Sequence, residues 1–194
     1  LANMFRRTTK LVFLQQMQFG IKKKDLFHRW AYGHLDLWIT LTKAMKTSVL
    51  ENTTVHKDRI RVIPFGVDLS VFRPSVYRKS ESRKAFGLPE RDVIISLIGR
   101  FDRQKGQEYL LRAIPAALKK APKAHFVLVG EETVGESGYL SELKSLIHTL
   151  KIGRHVSFKP FTHDIPRFLS ACDLVTVPSF SETFGYVAVE AMAM

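Results

Sequence analysis

Four short apolar segments in the second half of the sequence alternate with segments of helical periodicity, and this alternation constrains the fold more than any other feature. The apolar segments are residues 92–98, 125–129, 156–158 and 174–177. The helical segments are residues 107–120, 140–150, 165–171 and 185–194. Regular alternation of strand and helix predicts an α/β fold with a parallel sheet and right-handed crossovers. Pro115 predicts a kink or an early end in the first of these helices.

Every loop that leaves the carboxyl end of a parallel strand emerges at one edge of the sheet, where open α/β folds bind ligands. We therefore expect four loops to converge, at residues 99–106, 130–138, 159–164 and 178–185. The first loop places Arg100, Arg103 and Lys105 just before a helix start, where unpaired N–H groups favour an anion. A bound phosphate would fit there, although three cations in an exposed loop can also be simply solvated.

Two glutamates accompany the last loop, Glu182 before the final helix and Glu190 inside it. A carboxylate can accept two hydroxyl hydrogen bonds, which suits the vicinal diol of a sugar or a ribose. Each glutamate also has an ordinary interpretation. Glu190 would be a solvated helix residue, and Glu182 would interact with the helix dipole.

The first half of the sequence is less regular. Its patterns suggest strands at residues 10–18, 37–42 and 59–63, and helices at residues 26–32 and 43–51. Residues 74–90 are mostly polar and charged, so we interpret them as a linker between a first domain, residues 1–73, and a second domain, residues 91–194.

The net charge of +12 comes from 30 basic and 18 acidic side chains and is concentrated in the first half. Residues 1–90 hold 17 Lys and Arg against 7 Asp and Glu, whereas residues 91–194 hold 13 against 11. This asymmetry indicates an anionic partner such as nucleic acid, a membrane surface or a phosphate-bearing substrate. Residues 22–24 are three lysines close to Phe27, Arg29 and Trp30. They fit nucleic acid or anionic lipid, and equally a solvated basic turn before core aromatics.

Cys172 is the only cysteine, which excludes an intrachain disulfide and a multi-cysteine zinc site and points to a reducing compartment, the cytoplasm. No apolar segment is long enough to span a bilayer, and the segment at residues 11–19 lacks the features of a signal peptide. The chain starts at Leu1 and stops at Met194 within a predicted helix, so we expect a fragment of a longer protein.

Several common functions are poorly supported. Residues 130–137 approach the P-loop spacing, but Glu136 stands where the phosphate-binding lysine belongs. No GxGxxG follows a strand, no GxSxG is present, and the seven histidines form no close-set ligand pair. An NTPase, a dinucleotide-dependent dehydrogenase, a serine hydrolase and a metal site are therefore not predicted.

Several short motifs occur together in a characteristic order and spacing. They are Gly99-Arg100-x4-Lys105-Gly106, Val129-Gly130, Val156-x-Phe158 and Pro178-Ser179-x2-Glu182-x-Phe184-Gly185-x4-Glu190-Ala191. Upstream lies Val62-Ile63-Pro64-Phe65-Gly66-Val67-Asp68. This combination resembles the retaining glycosyltransferase family 4, also called glycosyl transferase group 1, which has the GT-B fold. The resemblance covers residues 60–194 well and residues 10–52 in outline.

The resemblance implies two Rossmann-like units with parallel sheets and flanking helices. Residues 1–73 would be the C-terminal part of the acceptor-side domain, and residues 91–194 a truncated donor-binding domain. The fragment alone would bind a nucleotide weakly and transfer nothing.

The resemblance also implies roles for particular residues. Arg100 and Lys105 would contact the donor diphosphate, Glu182 would hold hydroxyls of the donor sugar, and Glu190 would hold the ribose hydroxyls. The remaining donor-binding residues would be Gly99, Phe161, Thr162, Thr183, Phe184 and Gly185, of which Phe161 and Thr162 would lie near the nucleobase.

The implied function is transfer of a sugar from a nucleotide-diphosphate sugar to an acceptor with retention of configuration, in polysaccharide, glycolipid or lipopolysaccharide synthesis. No metal and no cofactor beyond the donor are expected. The acceptor would be a glycan or a lipid-linked molecule, with peripheral contact at the inner face of an anionic membrane and no role for nucleic acid. The alternative is a basic α/β module that binds anionic membrane or nucleic acid without catalysis.

Overall fold

A computed structural model describes residues 9–18, 20–133 and 138–194. The near-match to a P-loop at residues 130–137 includes residues 134–137, and these four residues, among them Glu136, lie outside the described ranges. The chain separates into two units between Gly66 and Val67, before the domain end expected at residue 73. No helix in the described ranges has both the length and the hydropathy of a membrane span.

The first unit is a three-stranded parallel sheet flanked by two helices. Its elements are β1 (Val12–Leu14), α1 (Leu26–Gly33), β2 (Leu37–Thr40), α2 (Lys43–Asn52) and β3 (Ile60–Val62), with strand order β1-β2-β3. The predicted elements are all present, although the strands are shorter than expected. Trp38 on the central strand is only 1% exposed, and its indole N–H donates to Gln15 Oε1 at 3.0 Å. This hydrogen bond satisfies a polar group that burial would otherwise leave unpaired.

The second unit is a four-stranded parallel sheet with helices on both faces. Its strands are β4 (Val93–Ile98), β5 (Ala124–Val129), β6 (Val156–Lys159) and β7 (Leu174–Val175). Its helices are α3 (Lys79–Ala85), α4 (Gln107–Lys120), α5 (Tyr139–Thr149), α6 (Ile165–Ala171) and α7 (Tyr186–Ala193). The strand order is β6-β5-β4-β7, which confirms the predicted parallel sheet.

Alternate side chains of the central strands enter two separate cores. Leu97 and Phe126 pack with α4 and α5, whereas their neighbours Ile98 and Val127 pack with α6 on the opposite face. Both faces of the sheet are covered, which explains why these strands read as continuous apolar runs. Each fully buried side chain of this size contributes about 1.5–3 kcal/mol through removal from water.

Helix α4 does not end early at Pro115, contrary to one of the two expectations for that residue. It runs unbroken from Gln107 to Lys120. Leu111 and Ile114 are fully buried before the proline, and Leu118 packs against the same core after it. Packing on both sides of Pro115 thus offsets the backbone hydrogen bond that proline cannot donate.

The polar composition of residues 74–90 predicted a linker, but the structure shows that these residues are part of the second unit. They include α3, which packs on α6 through a hydrogen bond from Ser170 Oγ to Ser82 Oγ at 2.7 Å. Arg83 is buried and donates to the carbonyl oxygens of Ala171 and Glu90 and to the carboxylate of Asp173. The polar side chains that suggested a linker therefore fasten this segment to the second unit.

We predict that Arg83→Ala destabilises the second unit, because the substitution leaves the carbonyl groups of Ala171 and Glu90 without this donor, whereas Asp173 keeps Lys79 and the N–H of Ile94. The expected loss in free energy of unfolding is about 1–3 kcal/mol, measured by urea denaturation with far-UV circular dichroism. Arg78→Ala is the control, since Arg78 forms an exposed pair with Glu81 and its loss should cost less than about 1 kcal/mol. Equal losses of stability in the two variants would contradict the role of the buried Arg83 in holding α3 to the second unit.

Candidate functional site

The strand order of the second unit reverses at β4. The chain proceeds from β4 outward to β5 and β6, and then returns to place β7 on the other side of β4. In open α/β sheets the crevice that binds ligands lies outside the carboxyl ends of the strands at such a switch point. The loops that flank this crevice are residues 99–106 after β4 and residues 178–185 after β7.

These two loops touch through backbone atoms. Gly106 has a φ of +74°, and a Cβ atom built there would lie 2.2 Å from the carbonyl oxygen of Pro178. Only glycine tolerates both the left-handed conformation and this close approach. The N–H of Phe180 donates to the carbonyl oxygen of Gln104 at 3.0 Å, so the loops are also hydrogen bonded.

An ion pair between Lys105 and Glu182 joins the two loops at the crevice. Lys105 Nζ lies 2.7 Å from Glu182 Oε1, and both side chains are a little over one quarter exposed. Ser179 Oγ donates to the same carboxylate oxygen at 2.7 Å. Burial alone would raise the pKa of Glu182, but the hydrogen bonds from Lys105 and Ser179 and the charge of Lys105 outweigh burial and lower it. Glu182 is thus held as a carboxylate beside a cation.

Asp102 organises the first loop, and it was missed in the sequence analysis. Its side chain is almost fully buried and accepts the N–H groups of Gln104 and Lys105 at 3.0 and 3.2 Å. Arg100 Nη2 lies 3.7 Å from the same carboxylate. An aspartate directly before a helical turn, which accepts the N–H groups two and three residues later, is a capping pattern, and that pattern could have revealed it.

The three cations of the first loop do not act together. Arg103 Nη2 donates to Glu142 on α5 at 2.7 and 2.8 Å, and its guanidinium lies 5.0 Å from the Tyr139 ring centroid. Arg100 is largely exposed, and its carbonyl oxygen accepts from the buried Gln107 at 2.7 Å. The hypothesis of a three-cation anion site is therefore reduced to Arg100 and Lys105, which follow Gly99.

Glu190 lies on α7, which begins after Gly185. The pKa of Glu190 is raised by burial, in contrast to that of Glu182. Gly185 has a φ of +77° and caps the helix, and the ring centroids of Phe184 and Tyr186 are 5.7 Å apart. Thr183 precedes this pair in the loop that carries Glu182. The start of α7 and the half-buried carboxylate of Glu190 thus come shortly after Glu182 in the sequence.

The loop after β6 contains the two residues assigned to the nucleobase. Phe161 is 48% exposed and its ring lies 5.1 Å from that of His163 in an edge-to-face arrangement. Thr162 Oγ1 accepts the N–H of Asp164 at 3.2 Å. These contacts lie within the loop itself, at a strand separated from β4 by β5.

The described residues contain no group of three or more His, Cys, Asp or Glu side chains that could hold a metal ion. Lys105 and Glu182 meet between the two loops, and the same two chain segments also carry Arg100 and, after Gly185, the start of α7 with Glu190. Cations suit phosphate oxygens, and carboxylates suit sugar hydroxyls.

A model of the family described as "Glycosyl transferases group 1" matches residues 78–194. The chain belongs to this family. Its Rossmann-like α/β units with parallel sheets match part of GT-B glycosyltransferase structures, so the expected fold class is confirmed.

Individual relatives agree with the family match. The D-inositol 3-phosphate glycosyltransferase of Corynebacterium jeikeium is 35% identical over 164 residues, which cover 81% of this chain and 39% of that enzyme. The structure of Anabaena HepE in complex with UDP superposes with a TM-score of 0.82 at 28% identity, covering 99% of this chain and 53% of HepE. The HepE complex with UDP-glucose gives a TM-score of 0.79 at 26% identity. The chain thus spans only about half or less of these relatives.

The opposite pKa shifts of the two glutamates predict opposite effects of Glu182→Gln and Glu190→Gln on stability. The lowered pKa of Glu182 means that its carboxylate stabilises the fold above the ordinary value of 4.5, an effect lost as the pH falls through the folded-state pKa. The raised pKa of Glu190 means that its stabilising protonated form, complete below 4.5, is lost as the pH rises through the folded-state pKa.

At pH 7, Glu182→Gln should therefore lower the melting temperature and Glu190→Gln should raise it. Both differences in melting temperature from the unsubstituted protein should become smaller when the pH falls below 4.5. Thermal melts across a pH series measure this change. Shifts of the same sign at neutral pH would contradict the charge assignment.

Proposed function

We propose that the second unit binds the nucleotide-diphosphate sugar donor of a retaining, hexosyltransferase-type glycosyltransferase. The observation that carries this proposal is the Lys105–Glu182 pair at the strand-order switch point, where a cation for phosphate and a carboxylate for hydroxyls meet. Family membership supports the reaction class, and the UDP and UDP-glucose complexes of HepE support the type of donor.

Arg100 and Lys105 bind the diphosphate in this proposal. Negative charge develops on the departing phosphate as the sugar–phosphate bond breaks, so cations fixed beside it stabilise the transition state more than the ground state. Asp102 fixes the backbone that carries Lys105, so this cation reaches the ligand from a preorganised loop. A Cβ atom built at Gly99 would make only an ordinary contact with the Lys105 side chain, 3.7 Å from its Cδ.

Glu182 holds hydroxyls of the donor sugar, and Glu190 holds the ribose hydroxyls. Neither is assigned as an acid or a nucleophile of the glycosidase kind, because their task is to bind and orient the donor. Backbone groups at Thr183, Phe184 and Gly185 lie beside the sugar and phosphate at the start of α7, where helix N–H groups point toward an anion. Phe161 and Thr162 line the nucleobase.

The first unit belongs to the acceptor-side domain in the whole protein. The acceptor is a glycan or a lipid-linked molecule, and the product is a polysaccharide, glycolipid or lipopolysaccharide intermediate. The relative from Corynebacterium jeikeium is named a D-inositol 3-phosphate glycosyltransferase, which supports a phosphate-bearing acceptor for this chain.

Lys105→Met should weaken the binding of UDP about tenfold or more, because the substitution removes a charged hydrogen bond worth about 1.5–3 kcal/mol and leaves Glu182 facing the diphosphate. Isothermal titration calorimetry of the chain with UDP, GDP and ADP measures this effect and identifies the preferred base. Lys119→Met is the charge-matched control, since Lys119 is exposed at the end of α4. Equal affinities of the two variants would refute the diphosphate site.

The role of Glu190 predicts discrimination between ribose and deoxyribose. The unsubstituted chain should bind UDP more tightly than 2′-deoxy-UDP, by about tenfold or more for one hydrogen bond to a charged group. Glu190→Gln should reduce this ratio without affecting the response to Lys105→Met. A ratio that is unchanged in the Glu190 variant would place the ribose elsewhere.

A further inference from the structure

Gln107, the first residue of α4, is fully buried although its side chain is polar. Its Nε2 atom donates to the carbonyl oxygen of Arg100 at 2.7 Å. A carbonyl oxygen can only accept a hydrogen bond, so this partner fixes which end of the amide faces Arg100. The side chain thus closes the loop of residues 99–106 by joining its start to the helix that follows it.

The other end of the same amide is not satisfied. Gln107 Oε1 is buried and has no hydrogen-bond partner among the residues that the structure describes. A buried acceptor without a partner costs about as much free energy as one neutral hydrogen bond contributes, or more. The gain from the Nε2 hydrogen bond is therefore cancelled, and folding stability alone does not explain a glutamine at this position.

The peptide group between Arg100 and Phe101 is held from both sides. Gln107 binds its carbonyl oxygen, and its N–H, which belongs to Phe101, donates to the carbonyl oxygen of Glu131 at 2.7 Å. Backbone torsions limit the rotamers that a side chain can adopt. The fixed peptide therefore sets the direction in which the side chain of Arg100 leaves the loop.

The guanidinium of Arg100 is held more weakly than its backbone. It is 69% exposed, and its Nη2 atom lies 3.7 Å from the carboxylate of Asp102, beyond hydrogen-bond distance. Exposed ion pairs contribute little to holding a side chain in place. Lys105 differs, because Asp102 accepts its backbone N–H and Glu182 accepts its ammonium group. Arg100 thus depends on its backbone for orientation.

We propose that Gln107 is a positioning residue for the donor diphosphate. Its amide fixes the peptide group between Arg100 and Phe101 and so directs the Arg100 guanidinium toward the phosphate oxygens before the donor arrives. A cation that is already oriented binds its ligand with a smaller loss of conformational entropy. Gln107 is fully buried, so it acts through Arg100. This inference rests on the proposed function of Arg100 in binding the diphosphate.

Gln107→Met keeps the length of the side chain and removes the hydrogen-bond donor. It should weaken the binding of UDP about twofold to tenfold in isothermal titration calorimetry, the range that one neutral hydrogen bond represents. The matched control is Ile114→Val, which removes one buried methylene from the same helix and should lower stability without changing the affinity for UDP. Circular dichroism and thermal melts establish that each variant is folded. An unchanged affinity in folded Gln107→Met would overturn the inference.

A double-mutant cycle separates positioning of Arg100 from a general structural effect. In the Arg100→Ala background, Gln107→Met should cause no further loss of UDP affinity, because the side chain that Gln107 positions is absent. In the Lys105→Met background, Gln107→Met should keep its effect, since Asp102 positions Lys105. Equal effects of Gln107→Met in the two backgrounds would contradict the assigned role.

The unsubstituted chain provides a test that needs no variant. The side-chain amide protons of Gln107 should exchange with water more slowly than those of the exposed Gln104, both without and with UDP, as NMR measures. Fast exchange at Gln107 in the free chain would show that the hydrogen bond does not form before binding, and would overturn the inference.

Failure of the donor site is distinguishable from failure of this inference. If Arg100→Ala leaves the affinity for UDP unchanged, the proposed function of Arg100 is wrong and the inference fails with it. If Arg100→Ala weakens UDP binding and Gln107→Met does not, the donor site stands and only the role of Gln107 is refuted.

Discussion

The Lys105–Glu182 ion pair is the interaction on which the site depends. Lys105 and Glu182 belong to loops that follow different strands, so only the parallel sheet brings them to one edge. Gly106 then allows the loops to approach within a distance that any side chain would prevent. Burial alone would raise the pKa of Glu182, but the hydrogen bond and charge of Lys105 lower it and keep this partly buried carboxylate ionised. In the proposed complex the diphosphate shares Lys105 with Glu182, and a sugar hydroxyl donates a hydrogen bond to the carboxylate.

The opposite edge of the same sheet is built differently. There Arg83 ties α3 to the chain near Asp173, and Asp173 also accepts the N–H of Ile94 at the start of β4. Removal of one partner from such a buried, hydrogen-bonded charge is costly, so Arg83 holds this edge in place. The second unit therefore combines a fixed amino edge with a carboxyl edge whose charged groups remain partly exposed. This division is what a binding site on a rigid scaffold requires.

Much of the fold could be predicted because the strands and helices of the second half have clear periods. The failures have specific causes. Residues 74–90 seemed a linker because Arg83 and Ser82 are polar, yet their hydrogen bonds are made to residues about ninety positions later, which no local pattern reveals. Arg103 was grouped with Lys105 by proximity in sequence, but Glu142 on α5 binds it. Asp102 acts through backbone N–H groups, and its buried position became evident only in the folded loop.

A crystal structure of this chain with UDP tests the central claim most directly. The account predicts the diphosphate at the loop of residues 99–106, with an oxygen within hydrogen-bond distance of Lys105 Nζ, and the ribose hydroxyls at the Glu190 carboxylate. UDP bound elsewhere, or bound at this edge with Lys105 still directed only to Glu182, would contradict it.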